Sequence, residues 1–220
     1  QMSASGELGH LVPERVWAEL AKALRTDTPA KFFSVLRGCG ALAVLFPEID
    51  REYPQAGQAH GDNTSSAALD ALQASVARSA DPRVRFAVLV RALGLQLSTE
   101  QRIDQTETLC RRFRAPNDYS QLAMSAIRLE QKVASNEAED ILDFMESSGT
   151  FKQNGRWRLL LSADSAAGLL EQQRADTLIG LGEQLASVNA ANFAHLDLSG
   201  PSLGDAIRDK RLEMLRTATL

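Results

Sequence analysis

The feature that most narrows what this chain can fold into is the spacing of its apolar residues, which is helical almost from end to end. Val16, Trp17, Leu20 and Leu24 recur at intervals of three and four, the signature of one buried helix face. Pro13 fits the first turn, where its missing N–H costs nothing. A second helix is expected after Thr28-Pro29, carrying Phe32, Phe33, Val35 and Leu36 and closing at Gly38. The short run Ala41–Phe46 stops at Pro47, and the stretch from Pro47 to Asn63, with its prolines and glycines, reads as a surface loop. Further helices are expected over about 64–78, over Arg83–Leu93 behind Asp81-Pro82, and from a Ser98/Gln101 capping box to Phe113. Others run from Pro116-Asn117 to about Val133, from Glu137 to Glu146 with Asn136 as cap, and over Trp157–Ala163. The long stretch Ser165–Val188 contains Gly180 and Gly182, which mark a kink or a close helix approach. A last helix covers Leu203–Arg216. Two-residue alternation, the mark of strands, does not occur. The expectation is an all-α chain of about ten helices without a fixed-period repeat.

Composition enters as a set of exclusions. Hydrophobic residues make up 44% of the 220, enough for a core, and the net charge is −4. A mildly acidic chain does not hold nucleic acid by bulk charge, so any such contact must be local. The two cysteines, Cys39 and Cys110, cannot build a disulfide framework and point to a reducing, cytoplasmic setting. No apolar run approaches the ~20 residues that cross a bilayer, so no membrane partner is expected.

Catalytic chemistry finds little footing. The three histidines, His10, His60 and His195, are scattered, with no paired spacing that would gather a metal. Gly38-Cys39-Gly40 lacks the rest of a phosphate loop and reads as a helix stop. The acidic run Glu137, Glu139, Asp140 and Asp143 suits the start of a helix, where the dipole favours negative charge. The arginines are more suggestive. Arg83, Arg85 and Arg91 share one predicted helix, Arg111, Arg112 and Arg114 gather at the end of another, and Arg208, Lys210, Arg211 and Arg216 stud the last. Each group serves either helix ends and solvent or phosphate, for which the guanidinium fork is well shaped.

Several runs resemble one family. Leu11-Val12-Pro13-Glu14-Arg15-Val16-Trp17 is similar to the neck of bacterial CCA-adding enzymes, the tRNA nucleotidyltransferases, and Phe32-Phe33-x-Val35-Leu36-Arg37-x-Cys39-Gly40 and Leu45-Phe46-Pro47-Glu48-Ile49-Asp50 are similar to the segment that follows it in that family. Asp81-Pro82-Arg83-Val84-Arg85-Phe86-Ala87, Leu109-Cys110-Arg111-Arg112, Arg114-x-Pro116-Asn117 and Gly200-Pro201-Ser202-Leu203-Gly204 continue the resemblance. It implies a neck over residues 1–50, an HD-like helical body over 51–147 and a helical tail over 148–220, without the catalytic head. A chain that opens Gln1-Met2 fits that reading of a portion.

The resemblance further implies tRNA as partner, contacted through backbone phosphates, with Arg85, Arg91, Arg111, Arg112, Arg114, Arg208 and Arg211 as candidates. Glu14 and Arg15 carry over only as support within the neck. No catalytic residue, metal ligand or cofactor is expected in this portion; Mg and CTP or ATP would act through the missing head, itself a partner. One departure is telling. Related enzymes carry an HD phosphohydrolase His-Asp pair at the end of the Arg-Phe-Ala helix, where this chain has Arg91-Ala92. Neither can ligate a metal, so a degenerate HD core is expected, with Arg91 a candidate phosphate ligand. The rival reading is a free-standing pseudo-HD scaffold for protein interaction.

Overall fold

The computed structural model of the chain describes residues 12–53, 66–152 and 155–218. Those residues form thirteen α-helices, ten of them seven residues or longer, and no strand. The all-α expectation holds. Two compact units divide the chain, Gln1–Arg128 and Leu129–Leu220.

The first unit contains α1 (Pro13–Ala23), α2 (Ala30–Gly38), α3 (Leu42–Leu45), α4 (Pro47–Asp50), α5 (Ala67–Ser75), α6 (Pro82–Arg91), α7 (Thr99–Phe113) and α8 (Asn117–Arg128). Its centre is α6. The Asp81 carboxylate accepts the Arg83 N–H and caps the helix, Pro82 occupies the first turn, and every residue from Val84 to Arg91 is buried. A helix buried on all sides, its arginines included, belongs in a core, and α5 and α8 flank this one, with α7 packed on α8 and α1 on α7. Trp17 of α1 stands edge-on between Phe86 at 5.2 Å and Tyr119 at 5.0 Å, a favoured aromatic geometry that fastens α1 to α6 and α8. A second aromatic group joins Phe33, Phe46 and Phe113. The Ser98/Gln101 capping box forms as expected.

The second unit contains α9 (Glu130–Ala134), α10 (Ala138–Ser148), α11 (Arg156–Ala166), α12 (Gln172–Ala186), a 3₁₀ turn (Ala190–Phe193) and α13 (Gly200–Thr217). Here α10 packs against α9, α11 and α13, and α11 against α12. The long α13 buries only Leu215.

Four local expectations need correction. Pro47–Asp50 is a helical turn and not loop, because Pro47 supplies a preset φ at the first position and Glu48 and Asp50 suit the positive end. Residues 54–65 of that expected loop lie outside the described ones. The helix expected to reach Val133 ends at Arg128, and a separate short turn follows. Glu137, not Asn136, is the residue before α10. The stretch Ser165–Val188 breaks between Ala167 and Glu171, with Gly168 at φ 75°, and not at its paired glycines. Gly182 instead lies within α12 at a close approach: a Cβ there would come within 2.9 Å of the Trp157 ring and 3.0 Å of Thr150.

Candidate nucleic-acid interface

In the first unit, the end of α7 gathers the expected arginines beside the start of α1 and the short α4. Arg112 donates to Glu48 at 2.5 Å, and the Glu48 side chain is 7% exposed. This pair is internal architecture, since an acid so buried requires its cation. Arg114 pairs with Glu14 across a hundred positions of sequence, and both side chains are largely exposed at 70% and 47%. The carboxyl of Glu14 is held below its ordinary value, first by its own backbone N–H and then by Arg114. An exposed pair of this kind adds little to stability. Arg15 is exposed on α1, and Arg111 is exposed beside Glu107 at 3.4 Å.

Arg114 has a further peculiarity. It is the only non-glycine with positive φ among the described residues, at φ 54° and ψ 45°, and its N–H caps α7 by bonding to the carbonyls of Arg111 and Cys110. The left-handed conformation costs an L-residue about 1 kcal/mol or more, a cost glycine escapes. Arg111 and Arg114 border an open cleft of about 390 Å³ between α7 and α8, lined also by Glu107, Asn117, Ser120 and Gln121. Cys110 lines it too, its thiol pushed up to about 12 by burial and by the Glu107 charge. Sequence alone groups the arginines; the polar lining from α8 follows from the fold, with only Arg114-x-Pro116-Asn117 hinting at the turn that creates it.

Arg85 and Arg91 lie in the interior, away from any surface that RNA could approach. Arg85 is 3% exposed and donates to the carbonyls of Ser79 at 2.7 Å, Leu24 at 2.8 Å and Thr26 at 2.8 Å. It satisfies the loop ends that flank α1 and α6, which is a folding role. Arg91 is 6% exposed on the last turn of α6, with half-buried Ala92 as C-cap. The Arg91 carbonyl accepts from Arg102 at 2.6 Å. Among the described residues no group of three or more His, Cys, Asp or Glu converges on a metal-sized space. His10 and His60 lie outside the described residues, and His195 is exposed.

In the second unit the expected arginines fasten α13. Arg208 donates to Asp143 at 2.8 Å and also to Glu146, and Arg216 donates to Glu139 at 2.5 Å. The acidic run of α10 is thus a docking strip as well as a helix start. Hydrogen bonds from Lys132 and Arg208 hold the Asp143 carboxyl below its usual value, and Arg216 does the same for Glu139. Arg211 stacks over Phe151 at 3.6 Å and donates to the carbonyls of Leu185 and Val188, closing the end of α12. A second open cleft, about 400 Å³, is lined by Thr150, Phe151, Lys152, Trp157, Arg158 and Glu183 among others. Its aromatic and basic lining carried no sequence signal. No described helix is long and apolar enough to cross a membrane.

These features define an all-helical chain with exposed arginines at one helix end and no metal cluster among its described residues. Residues 2–53 match the family described as the probable RNA and SrmB-binding site of polymerase A. The chain is 34% identical to the multifunctional CCA protein of Thioalkalivibrio sulfidiphilus, over 98% of this chain and 59% of that protein. It is 34% identical to the multifunctional CCA protein of Methylococcus capsulatus, over 98% and 57%. The CCA-adding enzyme of Pseudomonas entomophila is 31% identical over 98% and 56%. No solved structure matches significantly. The chain is therefore homologous to the C-terminal part of bacterial multifunctional CCA proteins, as the sequence resemblance implied. It spans less than three fifths of the length of these relatives.

Proposed function

We propose that this chain is the tRNA-positioning portion of a CCA-adding-type nucleotidyltransferase, working in the bacterial cytoplasm. The match of residues 2–53 to an RNA-binding family, within a chain alignable almost throughout to CCA proteins, is the observation that carries this reading. Nucleotide transfer, with Mg and CTP or ATP, belongs on this view to a head domain. This portion holds the RNA substrate in register, which is a large part of what such catalysis requires.

Exposed Arg15, Arg111 and Arg114 are the residues best placed to meet phosphate, whereas Arg85 and Arg112 serve the fold. The HD-like body is degenerate on this reading, because Arg91-Ala92 occupies the position of the ligating pair and cannot hold a cation. Metal-stimulated hydrolysis of 2′,3′-cyclic nucleotides by the pure protein would overturn that part.

The deciding experiment is tRNA binding by fluorescence anisotropy across a salt series. Phosphate contacts make log Kd rise linearly with log salt. Absence of binding at low salt would refute the reading. A second reading, a protein-interaction scaffold, draws support from the same family description, which names SrmB beside RNA. Binding to protein but not to tRNA would favour it.

A further inference from the structure

We propose that the cleft between α7 and α8 is a seat for an RNA backbone phosphate, gripped by Arg111 and Arg114. This inference rests on the tRNA reading above and assigns it a specific place. Two guanidiniums, 69% and 70% exposed, border one concavity of about 390 Å³. That volume admits a phosphodiester with its flanking sugars. Arginine is the side chain that meets phosphate through paired, parallel N–H donors. Asn117 and Gln121, on the opposite wall, bring neutral amide donors.

The carbonyls at the end of α7 would oppose an anion, but those of Cys110 and Arg111 already accept the N–H groups of Ala115 and Arg114. The acidic residues at the rim, Glu107 and Glu14, are engaged with these same two arginines. A phosphate therefore enters by partner exchange: it displaces an exposed carboxylate from each guanidinium, and no buried group is stripped of its partner. The backbone supplies an independent pointer. Position 114 adopts the left-handed conformation that glycine occupies most readily, yet bears a long cation whose present pair is exposed. The Arg114 side chain therefore adds little to the fold and is free to exchange its exposed partner for an anion.

The same feature makes the test sharp. Arg114→Gly removes the cation and relieves the backbone, so binding and stability should move in opposite directions. The full chain and its Arg114→Gly and Arg111→Gln variants are titrated with tRNA across salt, alongside thermal melts. The expected result is that each variant binds about three- to tenfold more weakly, with a salt slope smaller by about 0.7–0.9, the loss of one phosphate contact. The melting temperature should hold or rise for Arg114→Gly and stay level for Arg111→Gln. Wild-type affinity and slope in both variants would overturn the proposal while leaving the tRNA reading intact; failure of the unmodified chain to bind tRNA would remove both. Should Arg114→Gly melt early, Arg111→Gln decides alone. Inorganic phosphate, tested as competitor at constant ionic strength, separates a phosphate-ion site from an RNA site: phosphate that binds at Arg111 and Arg114 while tRNA affinity stays unchanged counts against the polymer.

Discussion

Glu14 and Arg114, a hundred positions apart in sequence, form an ion pair that sets the first turn of α1 against the last of α7. The pair brings the segment matched to that family to the exposed arginines at the end of α7. Its carboxylate is an internal competitor for whatever anion Arg114 meets. Glu14→Gln should leave the melting temperature nearly unchanged, because both partners are solvated. It should also tighten tRNA binding at low salt, read by anisotropy; weaker binding would mean that Glu14 orients Arg114 instead of masking it.

Arg85 supplies the strongest stability prediction. Arg85→Met strips the carbonyls of Ser79, Leu24 and Thr26 of a shared donor group. Leaving the buried Leu24 acceptor unpaired costs about 1–3 kcal/mol, while the part-buried Ser79 and Thr26 carbonyls can turn to water, so a loss of about 1–3 kcal/mol is expected in urea unfolding. A loss below about 1 kcal/mol would contradict the folding role.

The paired glycines of α12 should respond in opposite senses to alanine. At Gly180 an added Cβ meets nothing within 4 Å, so Gly180→Ala gains helix propensity, about 0.5–1 kcal/mol. At Gly182 the same methyl meets the Trp157 ring at 2.9 Å, so Gly182→Ala should cost about 1–3 kcal/mol. Thermal melts of the two variants check both signs.

Docking of α13 should weaken in acid and in salt. Asp143 and Glu139 have carboxyl values depressed in the folded chain, chiefly by hydrogen bonds from Lys132, Arg208 and Arg216. A depressed carboxyl contributes stability above its unfolded value, about pH 4, and that stability is lost as pH falls through the folded value. With only Leu215 buried on α13, there is little apolar contact to compensate. Amide exchange in α13 should therefore accelerate below about pH 4 and in high salt, well before that of α10.

The thiols should differ sharply. Cys39 is exposed, whereas Cys110 is buried with its ionisation pushed up to about 12. Alkylation near neutral pH should label Cys39 rapidly and Cys110 only on unfolding, since the thiolate is the nucleophile. Mass spectrometry of a time course checks this.

Much of the fold was legible because helix periodicity and capping act locally. The Ser98/Gln101 box and Asp81-Pro82 set their helix starts as the sequence implies. Where reading failed, the deciding forces were tertiary. The close approach at Gly182 was among the readings its glycine pair offered, but its partner Trp157 is a contact that no window of sequence contains. The site was legible in residue type but not in exposure. Arg85, Arg91 and Arg112 look like Arg111 and Arg114 on paper, yet the first three are buried or committed to internal partners. Burial of an arginine depends on which distant carbonyls or carboxylates the fold brings to it, and Glu48 lies 64 positions from Arg112.

The hold of Arg85 on the carbonyls of Leu24 and Thr26 bears on modularity. Residues 2–53 match a family as a separable stretch of sequence, but the described part of that stretch, residues 12–53, is not separable as matter. Cutting after residue 53 would strand two carbonyls, leave Trp17 without Phe86 and Tyr119, and abandon the buried Glu48 charge. The matched stretch can therefore be transplanted only together with α6, α7 and α8, which makes the unit that folds larger than the unit of sequence that is matched.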